Sequence, residues 1–492
     1  MSESTESNSV GGVSDGDVRG VSEGDVLDAP TRVADGVASY KVAVIGGGLA
    51  GLAAAVALAD EGLGVELFEA TGRLGGRAGS FFDPASGELV DHCQHVSMGC
   101  CTNLADFCRR TNISDCFRRD RTLHFIGPDG RHFPLTASRW LPAPLHLAPA
   151  LLKLGYLSLG EKIGIARAMR RLMRMPSTSL DDGPTVGQWL RDQRQSQRVI
   201  DRFWSVVLVS ALSETVDRAS LAAARKVFVD GFLSSRHGYE IEVPTVALGE
   251  MYGQRMIDEL AARGVVVHLS SPVSSLEGDK HTVREVYFDV VIVAVPWRAA
   301  EKVSGTVFGE NKRFLTPFTS VPISAVHLWF DRPITRLPHA VLIDRLSQWV
   351  FNHGARDTGP PEYHYQVVVS ASRDLAGRDR DEIAAEVHAE LASVWPAARD
   401  ARLLRHRIVT QPHAVFSPQV GVDRLRPPQR TSVPHLFLAG DWTATGWPAT
   451  MEGAVRSGYL AAEGVLASLG RRAALLQPDL SRGPLARLLV RR

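Results

Sequence analysis

The sequence predicts an α/β fold in which a parallel sheet flanked by helices is interrupted by long insertions of mixed α+β structure. The first observation is a β-α-β unit, in which an apolar run (41–45), an alanine-rich helix (49–60) and a second apolar run (65–68) follow one another. The second is that similar apolar runs recur much later, at 288–294 and 435–441. Such runs are typical of parallel strands that are buried on both faces. The 492-residue chain is long enough for two large domains.

The insertions divide the predicted fold into two domains. We predict a first domain, which holds the parallel sheet, built from residues 40–90, 245–296 and 430–470. The segments between these stretches, residues 91–244 and 297–429, are predicted to form a second domain of mixed α+β structure that covers the first.

The two ends of the chain differ in charge. Residues 1–39 contain eight acidic residues and two arginines and show no apolar periodicity. Such a segment buries too little apolar surface to offset the entropy lost on ordering, so we predict a disordered acidic tail. Residues 471–492 contain six arginines and one aspartate, which predicts a basic C-terminal tail.

The composition argues against a nucleic-acid partner and favours a reducing cellular compartment. The formal net charge is +1 and aromatic residues make up 7% of the chain, so no nucleic-acid partner is expected. All five cysteines lie between positions 93 and 116, without the close C-x-x-C pairs typical of zinc sites. An odd number of cysteines in a long chain favours reduced thiols in the cytoplasm. We therefore predict that the cysteines pack as small apolar side chains and that no metal is bound.

A glycine-rich loop joins the first strand to the first helix and matches the pattern G-x-G-x-x-G. The residues predicted to contact a dinucleotide there are Gly46, Gly48, Leu49, Ala50 and Gly51. The first glycine permits the tight turn, the second lets the backbone approach a pyrophosphate, and the third lets helix and strand pack closely. The dipole at the helix N-terminus attracts the phosphates. Because Glu69 ends the second strand, where a carboxylate can bind a ribose hydroxyl, the unit predicts a Rossmann-type nucleotide site.

Two further motifs favour FAD over NAD as that nucleotide. The first motif, which suits a second backbone pass along the phosphates, contains Arg73, Gly75, Gly76 and Arg77. The second, near the other end of the chain, contains Gly440, Asp441, Thr450, Met451, Glu452 and Ala454. Asp441 closes a strand, where a carboxylate can bind a ribityl hydroxyl. The helix that starts near Thr450 would direct its N-terminus at the flavin, where negative charge gathers on reduction.

One segment of the predicted second domain has the character of a membrane-surface element. Residues 140–152 are largely apolar, but they contain three prolines and are shorter than the roughly 20 residues that span a bilayer. A basic amphipathic helix follows at 159–175. Together they predict a segment that lies in a membrane interface, the alternative being an ordinary surface helix over a core.

These motifs resemble those of the FAD-dependent amine oxidase and phytoene desaturase superfamily. Within it, the run from Val90 to Val96 (VDHCQHV) and the run from Trp447 to Gly458 (WPATMEGAVRSG) are similar to the hydroxysqualene dehydroxylases of hopanoid biosynthesis. The sequence departs from that branch at His92 and Cys93, where asparagine and glycine are expected. The resemblance covers residues 40–470 and implies a glutathione-reductase-like FAD-binding domain with an inserted substrate domain.

The same resemblance implies a function. The expected reaction is the FAD-dependent reductive dehydroxylation of hydroxysqualene to squalene, with FAD held non-covalently, an isoprenoid lipid as substrate and an external electron donor, for which NADPH is one candidate. The expected location is the cytoplasm, at the membrane surface. A carotenoid desaturase, a redox-neutral polyene isomerase and a prenyl-lipid escort protein without flavin are the alternatives. Arg77 and Asp441 argue against an escort protein, because these side chains have a task only if flavin is present.

The dehydroxylation needs a general acid that protonates the departing oxygen. The polar residues after the second glycine motif, Asp91, His92 and His95, are the candidates implied by the resemblance. Other carboxylates that could serve are Glu214, beside Ser213, and Glu240 and Glu242. We interpret His327, on an otherwise apolar strand, as a core histidine. The aromatic side chains expected either to line a lipid tunnel or to pack in the core are Phe203, Trp204, Trp329 and Phe330.

Overall fold

The computed structural model describes residues 40–176, 183–276, 281–304, 318–355 and 361–491. The predicted acidic tail, residues 1–39, lies outside the described residues.

A five-stranded parallel sheet forms the first domain, which confirms the predicted fold class. In spatial order its strands are Val266–His268, Gly64–Phe68, Lys41–Ile45, Val290–Val293 and Leu436–Leu438. Every neighbouring pair is parallel. The edge strand Val266–His268 escapes sequence analysis because it is only three residues long and each of its residues is half-buried.

Helices cover both faces of this sheet. On one face, helix Leu49–Asp60 packs closely on helix Met451–Ser468, since a Cβ at Gly458 would lie 2.3 Å from the backbone oxygen of Ala50. On the other face, helix Trp297–Ser304 packs on side chains of strands Lys41–Ile45 and Val290–Val293, with Ala43 and Val291 among them. The sheet is therefore buried on both sides, as a parallel sheet requires.

The predicted domain boundaries differ from the structure in two places. Helix Thr102–Arg110 lies in the core of the first domain, where Leu104 and Phe107 pack against the Met451–Ser468 helix, although the prediction assigns residues 91–244 to the second domain. Helix Trp297–Ser304 also belongs to the first domain. In both cases the chain remains there to cover apolar surface of the sheet and its helices before it enters an insertion.

The second domain is built on a seven-stranded sheet. Its strands, in spatial order, are Leu403–Phe416, Ser320–Phe330, Tyr363–Ser370, Trp349–Ala355, His339–Leu342, Thr122–Ile126 and His132–Thr136. All neighbouring pairs are antiparallel except His339–Leu342 with Thr122–Ile126. Helix Arg380–Val394 packs on one face of the sheet. The opposite face turns towards the first domain and the inserted helices.

Smaller elements complete the described structure. A three-stranded sheet has the order Ser97–Met98, Ile241–Pro244, Phe117–Asp120, and two hairpins pair Ser80–Asp83 with Glu88–Asp91 and Thr282–Val283 with Val286–Tyr287. The remaining α-helices are Ala148–Lys153, Leu159–Arg174, Val186–Asp192, Gln197–Val199, Val206–Leu212, Leu221–Arg225, Leu248–Met251, Gln254–Ala261, Pro396–Asp400 and Pro484–Leu489. Two segments, Ile200–Ser205 and Lys226–Leu233, are π-helical.

The C-terminal segment is part of the folded body and not a free tail. Residues 484–489 form a short helix whose Ala486 is fully buried. The Arg491 amide donates to the Met173 oxygen at 2.8 Å, and the Arg225 guanidinium donates to the Arg491 oxygen at 2.7 Å. The excess of arginine suggested a tail because charge composition carries no information on such backbone contacts.

The predicted basic helix is present as Leu159–Arg174. It begins with a capping box, in which the Ser158 hydroxyl accepts from the Glu161 amide and the Glu161 carboxylate accepts from the Ser158 amide. Its buried face, with Ile165 and Leu172, packs in the apolar core of the second domain. No helix in the described part of the chain is both long and apolar enough to cross a bilayer.

Candidate active site and cofactor cradle

The two glycine motifs predicted from the sequence lie against each other. The Gly75 amide donates to the Gly47 oxygen at 2.9 Å, and Gly48 and Gly75 form an isolated parallel bridge. Gly75 and Gly76 both have positive φ, +93° and +58°. The second motif therefore forms a second backbone wall beside the first loop, as predicted for a chain that passes the phosphates twice.

Gly51 and Gly48 differ in the space around them. A Cβ at Gly51 would lie 1.9 Å from the Gly46 oxygen, so close helix–strand packing requires glycine there. A Cβ at Gly48 would have no atom within 4 Å. This open space lies at the N-terminus of helix Leu49–Asp60, where no side chain caps the helix and the amides of its first turn are free for an anion. The loop thus forms a cradle for a pyrophosphate.

The Glu69 carboxylate lies at the end of the second strand, beside the cradle. Its Oε2 accepts from the Gly47 amide at 2.7 Å, and its Oε1 accepts from the Thr71 amide and the Thr71 hydroxyl, each at 2.8 Å. The side chain is buried. Because each carboxylate oxygen can accept two hydrogen bonds, these contacts fix the carboxylate and leave capacity for a ribose hydroxyl.

The structure brings the two ends of the predicted site together through an ion pair. The Arg77 guanidinium contacts Asp441 Oδ1 at 2.6 Å and donates to the Ala414 oxygen at 2.7 Å. The Asp441 side chain is 3% exposed, and its backbone oxygen accepts from Arg426 at 2.8 Å. Arg77 and Asp441, predicted to contact different parts of the cofactor, therefore also hold each other.

Arg73 and Gly440 support the cradle from outside it. The Arg73 guanidinium donates to the Gly76 oxygen at 3.0 Å and so braces the second glycine motif. The Gly440 amide donates to the Ser457 hydroxyl at 2.8 Å, which ties the strand end to helix Met451–Ser468. A role for Arg73 as a direct phosphate ligand has no support from these contacts.

The start of helix Met451–Ser468 agrees with the sequence prediction at one residue and differs at another. Thr450 is the N-cap, and its hydroxyl accepts from the Gly453 amide at 3.1 Å. Glu452 is predicted to bind the cofactor, but its carboxylate accepts from the Leu104 amide at 2.7 Å and from the Asn103 side chain at 2.9 Å. Burial raises the pKa of Glu452. This carboxylate caps helix Thr102–Arg110, and these contacts give no support to a role in cofactor binding.

A cavity of about 260 Å³ opens beside this helix start. Its wall is formed by residues from the 93–101 segment, from helix Val206–Leu212, from the π-helix Lys226–Leu233 and from the 447–452 segment. Its floor is the face of the seven-stranded sheet that carries Phe125, Ile323, Val341, Trp349, Phe351 and Val368. Most of the lining is apolar. The cavity therefore joins a hydrophobic binding space to the end of the cofactor cradle where Thr450 and Met451 lie.

Comparison with known proteins identifies the family. The sequence profile described as flavin containing amine oxidoreductase matches residues 49–466. The chain belongs to this family. Among its relatives, the hydroxysqualene dehydroxylase of Rhodopseudomonas palustris is 28% identical over 452 residues, which cover 87% of this chain and 99% of that protein. The 15-cis-phytoene desaturase of Synechococcus elongatus is 27% identical over 462 residues, 87% of this chain and 96% of that protein.

A solved structure supports the same fold. Cyclohexylamine oxidase from Brevibacterium oxydans superposes with a TM-score of 0.63 at 19% identity, covering 88% of this chain and 100% of that chain. As a flavin containing amine oxidoreductase, the protein is a FAD-dependent oxidoreductase. The cradle fits that cofactor: the space at Gly48 suits the pyrophosphate, Glu69 the ribose and the Thr450 helix start the flavin. When bound, FAD supplies the two-electron chemistry.

None of the three predicted catalytic residues of this flavin containing amine oxidoreductase lines the cavity. The Asp91 carboxylate accepts from the Ser80 hydroxyl at 2.6 Å and from the Leu248 amide at 2.8 Å, so it caps the short helix Leu248–Met251. A role for Asp91 as the general acid therefore has no support from these contacts and stays a prediction. Cys93 and Gln94, two and three residues further along the chain, line the cavity instead.

The two histidines of this segment also point elsewhere. His92 lies against Phe81, with ring centroids 5.5 Å apart, and its Nε2 is 3.5 Å from the Arg73 guanidinium. His95 Nδ1 lies 2.9 Å from the Cys93 oxygen. Burial lowers the pKa of both imidazoles. Proton donation by His92 or His95 stays a prediction that no contact with the cavity supports.

The other candidate carboxylates have structural partners. Glu214 is fully buried, and Arg373 donates to both of its oxygens, at 2.8 and 2.7 Å. Although burial acts to raise it, the pKa of Glu214 is lowered by hydrogen bonds from Arg373, Ser417 and Thr215. Glu240 lies 2.8 Å from His237 Nδ1, and Glu242 pairs with Arg119. None of the three lines the cavity.

The remaining expectations for core residues are confirmed. His327 is fully buried, with its Nδ1 3.0 Å from His364 Nε2 and its Nε2 3.3 Å from Gln366. The aromatic residues Trp204, Trp329 and Phe330 are buried in the core, Phe203 is half-buried, and none of the four lines the cavity. All five cysteines are free; Cys101 is half-buried and the others are buried.

Sequence analysis missed several polar side chains that line the cavity, among them Gln94, Ser97 and Lys226. Gln94 lies within the motif that carried the family resemblance, so its type and position were a usable signal. The sequence around Ser97 and Lys226 offered no such signal. The Lys226 ammonium contacts Asp479 at 3.0 Å and lies 4.6 Å from the centre of the Trp447 ring, and it thereby closes one edge of the cavity.

Asp91 predicts a pH dependence of stability. Burial raises its pKa from 3.8 to about 6 in the folded protein, although the Ser80 and Leu248 hydrogen bonds act against the shift. The folded state therefore gains stability from this group below pH 3.8 and loses it as the pH rises through about 6, a change of about 3 kcal/mol. In urea unfolding between pH 4 and pH 7, wild type should lose stability relative to Asp91→Asn by about this amount. Parallel pH curves for the two proteins would contradict the expectation.

Proposed function

We propose that the protein catalyses the reductive dehydroxylation of hydroxysqualene to squalene. The observation that carries the proposal is the apolar cavity that meets the cofactor cradle at Thr450 and Met451. A long isoprenoid has no polar group to bind along most of its length, so its binding site must be apolar. The similarity to a hydroxysqualene dehydroxylase along nearly the whole of both chains supports this choice of substrate.

The proposed reaction replaces the C–OH bond of the substrate by a C–H bond and releases water. It consumes two electrons and two protons, which the reduced cofactor supplies. The chain's own task is to exclude bulk water, to orient the isoprenoid and to stabilise the departing oxygen. The sheet face with Phe125, Trp349 and Phe351 excludes water from the floor of the cavity, and the Lys226–Trp447 contact closes an edge.

A phytoene-type desaturation is the second candidate, because the phytoene desaturase of Synechococcus elongatus is about as similar. The two reactions differ in the direction of electron flow: desaturation oxidises its substrate and dehydroxylation reduces it. This difference allows a direct test.

The test is anaerobic incubation of the purified protein, in its photoreduced and its oxidised form, with hydroxysqualene or phytoene in mixed micelles. Mass spectrometry of the extracted lipids should show squalene from hydroxysqualene with the reduced protein only. Desaturated phytoene from the oxidised protein, without squalene from the reduced protein, would overturn the proposal in favour of the second candidate. Heat-treated protein with free FAD serves as the control.

We also propose that the protein takes its substrate from a membrane surface. An exposed apolar surface is formed by Trp140, Leu145, Leu152, Leu159, Ile163 and Leu488. The parts of this surface adjoin: the Lys162 ammonium donates to the Leu152 oxygen at 2.8 Å, and a Cβ at Gly483, just before the last helix, would lie 3.5 Å from Ala143. Trp140 is 82% exposed and Leu488 is 83% exposed. Contact of such large apolar side chains with water is unfavourable, so their exposure favours a binding surface.

Charge beside this surface favours an anionic bilayer. Helix Leu159–Arg174 carries four exposed arginines, at positions 167, 170, 171 and 174. Each basic residue near an anionic membrane contributes about 1 kcal/mol of attraction. The predicted interfacial segment and the folded C-terminal helix therefore belong to one candidate surface.

Liposome flotation tests this surface. The triple variant Trp140→Ser, Leu152→Ser, Leu488→Ser should float poorly, because it removes three exposed apolar anchors. A variant in which the arginines at 167, 170, 171 and 174 are neutralised should bind vesicles only through these apolar anchors. Phe82→Ser is the matched control, since Phe82 is also exposed (61%) but lies on the 80–91 hairpin. Equal flotation of wild type and the triple variant on phosphatidylglycerol vesicles would refute the proposal.

A further inference from the structure

Two polar atoms in the cavity wall have no hydrogen-bond partner. Among the described side chains that line the cavity, these buried atoms are Gln94 Oε1 and Ser97 Oγ. Gln94 is 8% exposed and Ser97 is 3% exposed. Gln94 Nε2 donates to the His95 oxygen at 3.3 Å, which identifies the carboxamide oxygen as the unpaired atom.

Other polar side chains in the same wall are paired. The Ser210 hydroxyl donates to the Val206 oxygen and accepts from Trp349 Nε1, each at 2.7 Å. The Lys226 ammonium and the Glu452 carboxylate also have partners, as described above. Gln94 and Ser97 therefore differ from their surroundings, and a buried polar atom without a partner destabilises the empty protein.

We infer that Gln94 and Ser97 recognise the hydroxyl group of the substrate. A hydroxyl offers one donor and two acceptor positions, so it can donate to the Gln94 oxygen and accept from Ser97 Oγ. A hydrocarbon of the same length would leave both atoms unpaired. The inference rests on the proposed function and deepens it, since these two residues would select an oxygenated isoprenoid over a hydrocarbon.

The same pairing bears on the release of the product. Squalene lacks the oxygen that hydroxysqualene carries, so both polar atoms would lose their partner once the substrate oxygen has left as water. Product is then bound less tightly than substrate, although the carbon skeleton and its apolar contacts are the same. Gln94 and Ser97 would therefore act as specificity-determining residues, without any need to transfer a proton.

The test is equilibrium binding of radiolabelled hydroxysqualene and squalene to the oxidised, FAD-loaded protein in mixed micelles, where reductive turnover cannot occur. Wild type should bind hydroxysqualene about 10- to 100-fold more tightly than squalene. Gln94→Leu and Ser97→Ala should each weaken hydroxysqualene binding about 5- to 100-fold and leave squalene binding within about twofold. Ser347→Ala is the matched control, because the Ser347 hydroxyl is equally buried and unpaired but does not line the cavity.

Thermal unfolding without lipid separates recognition from a structural role. Ser97→Ala removes only an unpaired buried polar atom, so its unfolding temperature should stay unchanged or rise, with FAD content as in wild type. Gln94→Leu also removes the long Nε2 hydrogen bond to His95, so its unfolding temperature should change little. Substitution of a residue that the fold needs would lower both the unfolding temperature and the FAD content. The combination of unchanged stability and lost preference for the hydroxylated lipid is the expected signature.

The outcomes separate this inference from the proposed function. If wild type shows no preference, or if both variants keep it, the inference is overturned, and squalene formation in the turnover assay would still support the function. If the preference exists and the variants lose it, the inference stands even where no squalene is formed. In that case the protein binds an oxygenated isoprenoid but carries out another reaction.

Discussion

The variant Arg77→Met is expected to purify without the yellow colour of bound flavin. The Asp441 carboxylate is 3% exposed and contacts Arg77 at 2.6 Å, so the substitution leaves a buried negative charge without its counter-ion beside the cofactor. Removal of one partner of a fully buried ion pair costs about 3–5 kcal/mol, but the Arg77 side chain is 36% exposed, so solvent screens the pair and we expect a cost of about 1–3 kcal/mol. If that cost falls on the cofactor-bound state, FAD affinity drops about 5- to 150-fold. The FAD content of the purified protein and titration of the apoprotein with FAD measure the effect.

Arg131→Met provides the control for this loss. Arg131 lies on the exposed turn between Thr122–Ile126 and His132–Thr136, and its side chain is 80% exposed, so the same chemical change should leave FAD binding unaltered. Full FAD retention by Arg77→Met would show that the Arg77–Asp441 pair does not hold the cradle in its binding form.

The variant Arg373→Met is expected to show the largest loss of folding stability. Its guanidinium donates to both oxygens of Glu214, which is fully buried, and Glu214 also joins Ser417 to this site. Without Arg373 the buried carboxylate keeps only the half-exposed Arg218, whose Nε lies 3.4 Å from Oε2, and the free energy of unfolding should fall by about 2–4 kcal/mol. Urea unfolding followed by tryptophan fluorescence measures the change.

Arg378→Met is the matched comparison. Arg378 also pairs with a glutamate, Glu386, but the two side chains are 36% and 43% exposed. An exposed ion pair contributes about 0–1 kcal/mol, so this variant should remain close to wild type. Similar unfolding curves for the two arginine variants would mean that burial of Glu214 does not decide the energy of its pair.

The cofactor cradle could be predicted from the sequence because its determinants are local. The turn at Gly46, the helix that follows it and Glu69 lie within one β-α-β unit, where residue type and spacing fix the conformation. Thr450 was recognisable for the same reason, since an N-cap is set by its own side chain and the next few residues. These predictions needed no knowledge of distant contacts.

The site predictions that the structure does not support concern side chains whose contacts depend on a distant partner. Asp91 is polar and close to the second glycine motif, but its hydrogen-bond partner Leu248 lies 157 residues away in the chain. Glu452 belongs to a cofactor motif, yet its carboxylate is taken by Leu104, 348 residues earlier. Sequence spacing shows which residue types are present and cannot show in which direction each side chain points along the irregular segment after Asp91.

The Arg77–Asp441 ion pair has a consequence for synthesis of the protein on the ribosome. The phosphate loop is translated within the first tenth or so of the chain, whereas Asp441 and the helix that follows it emerge only when nearly all of the chain has been made. Strand Leu436–Leu438 joins the parallel sheet equally late. A nascent chain therefore exposes an incomplete cradle for most of its translation, and a truncated product should have no means of capturing the vitamin-derived cofactor. FAD can then bind only after synthesis of the chain is nearly finished.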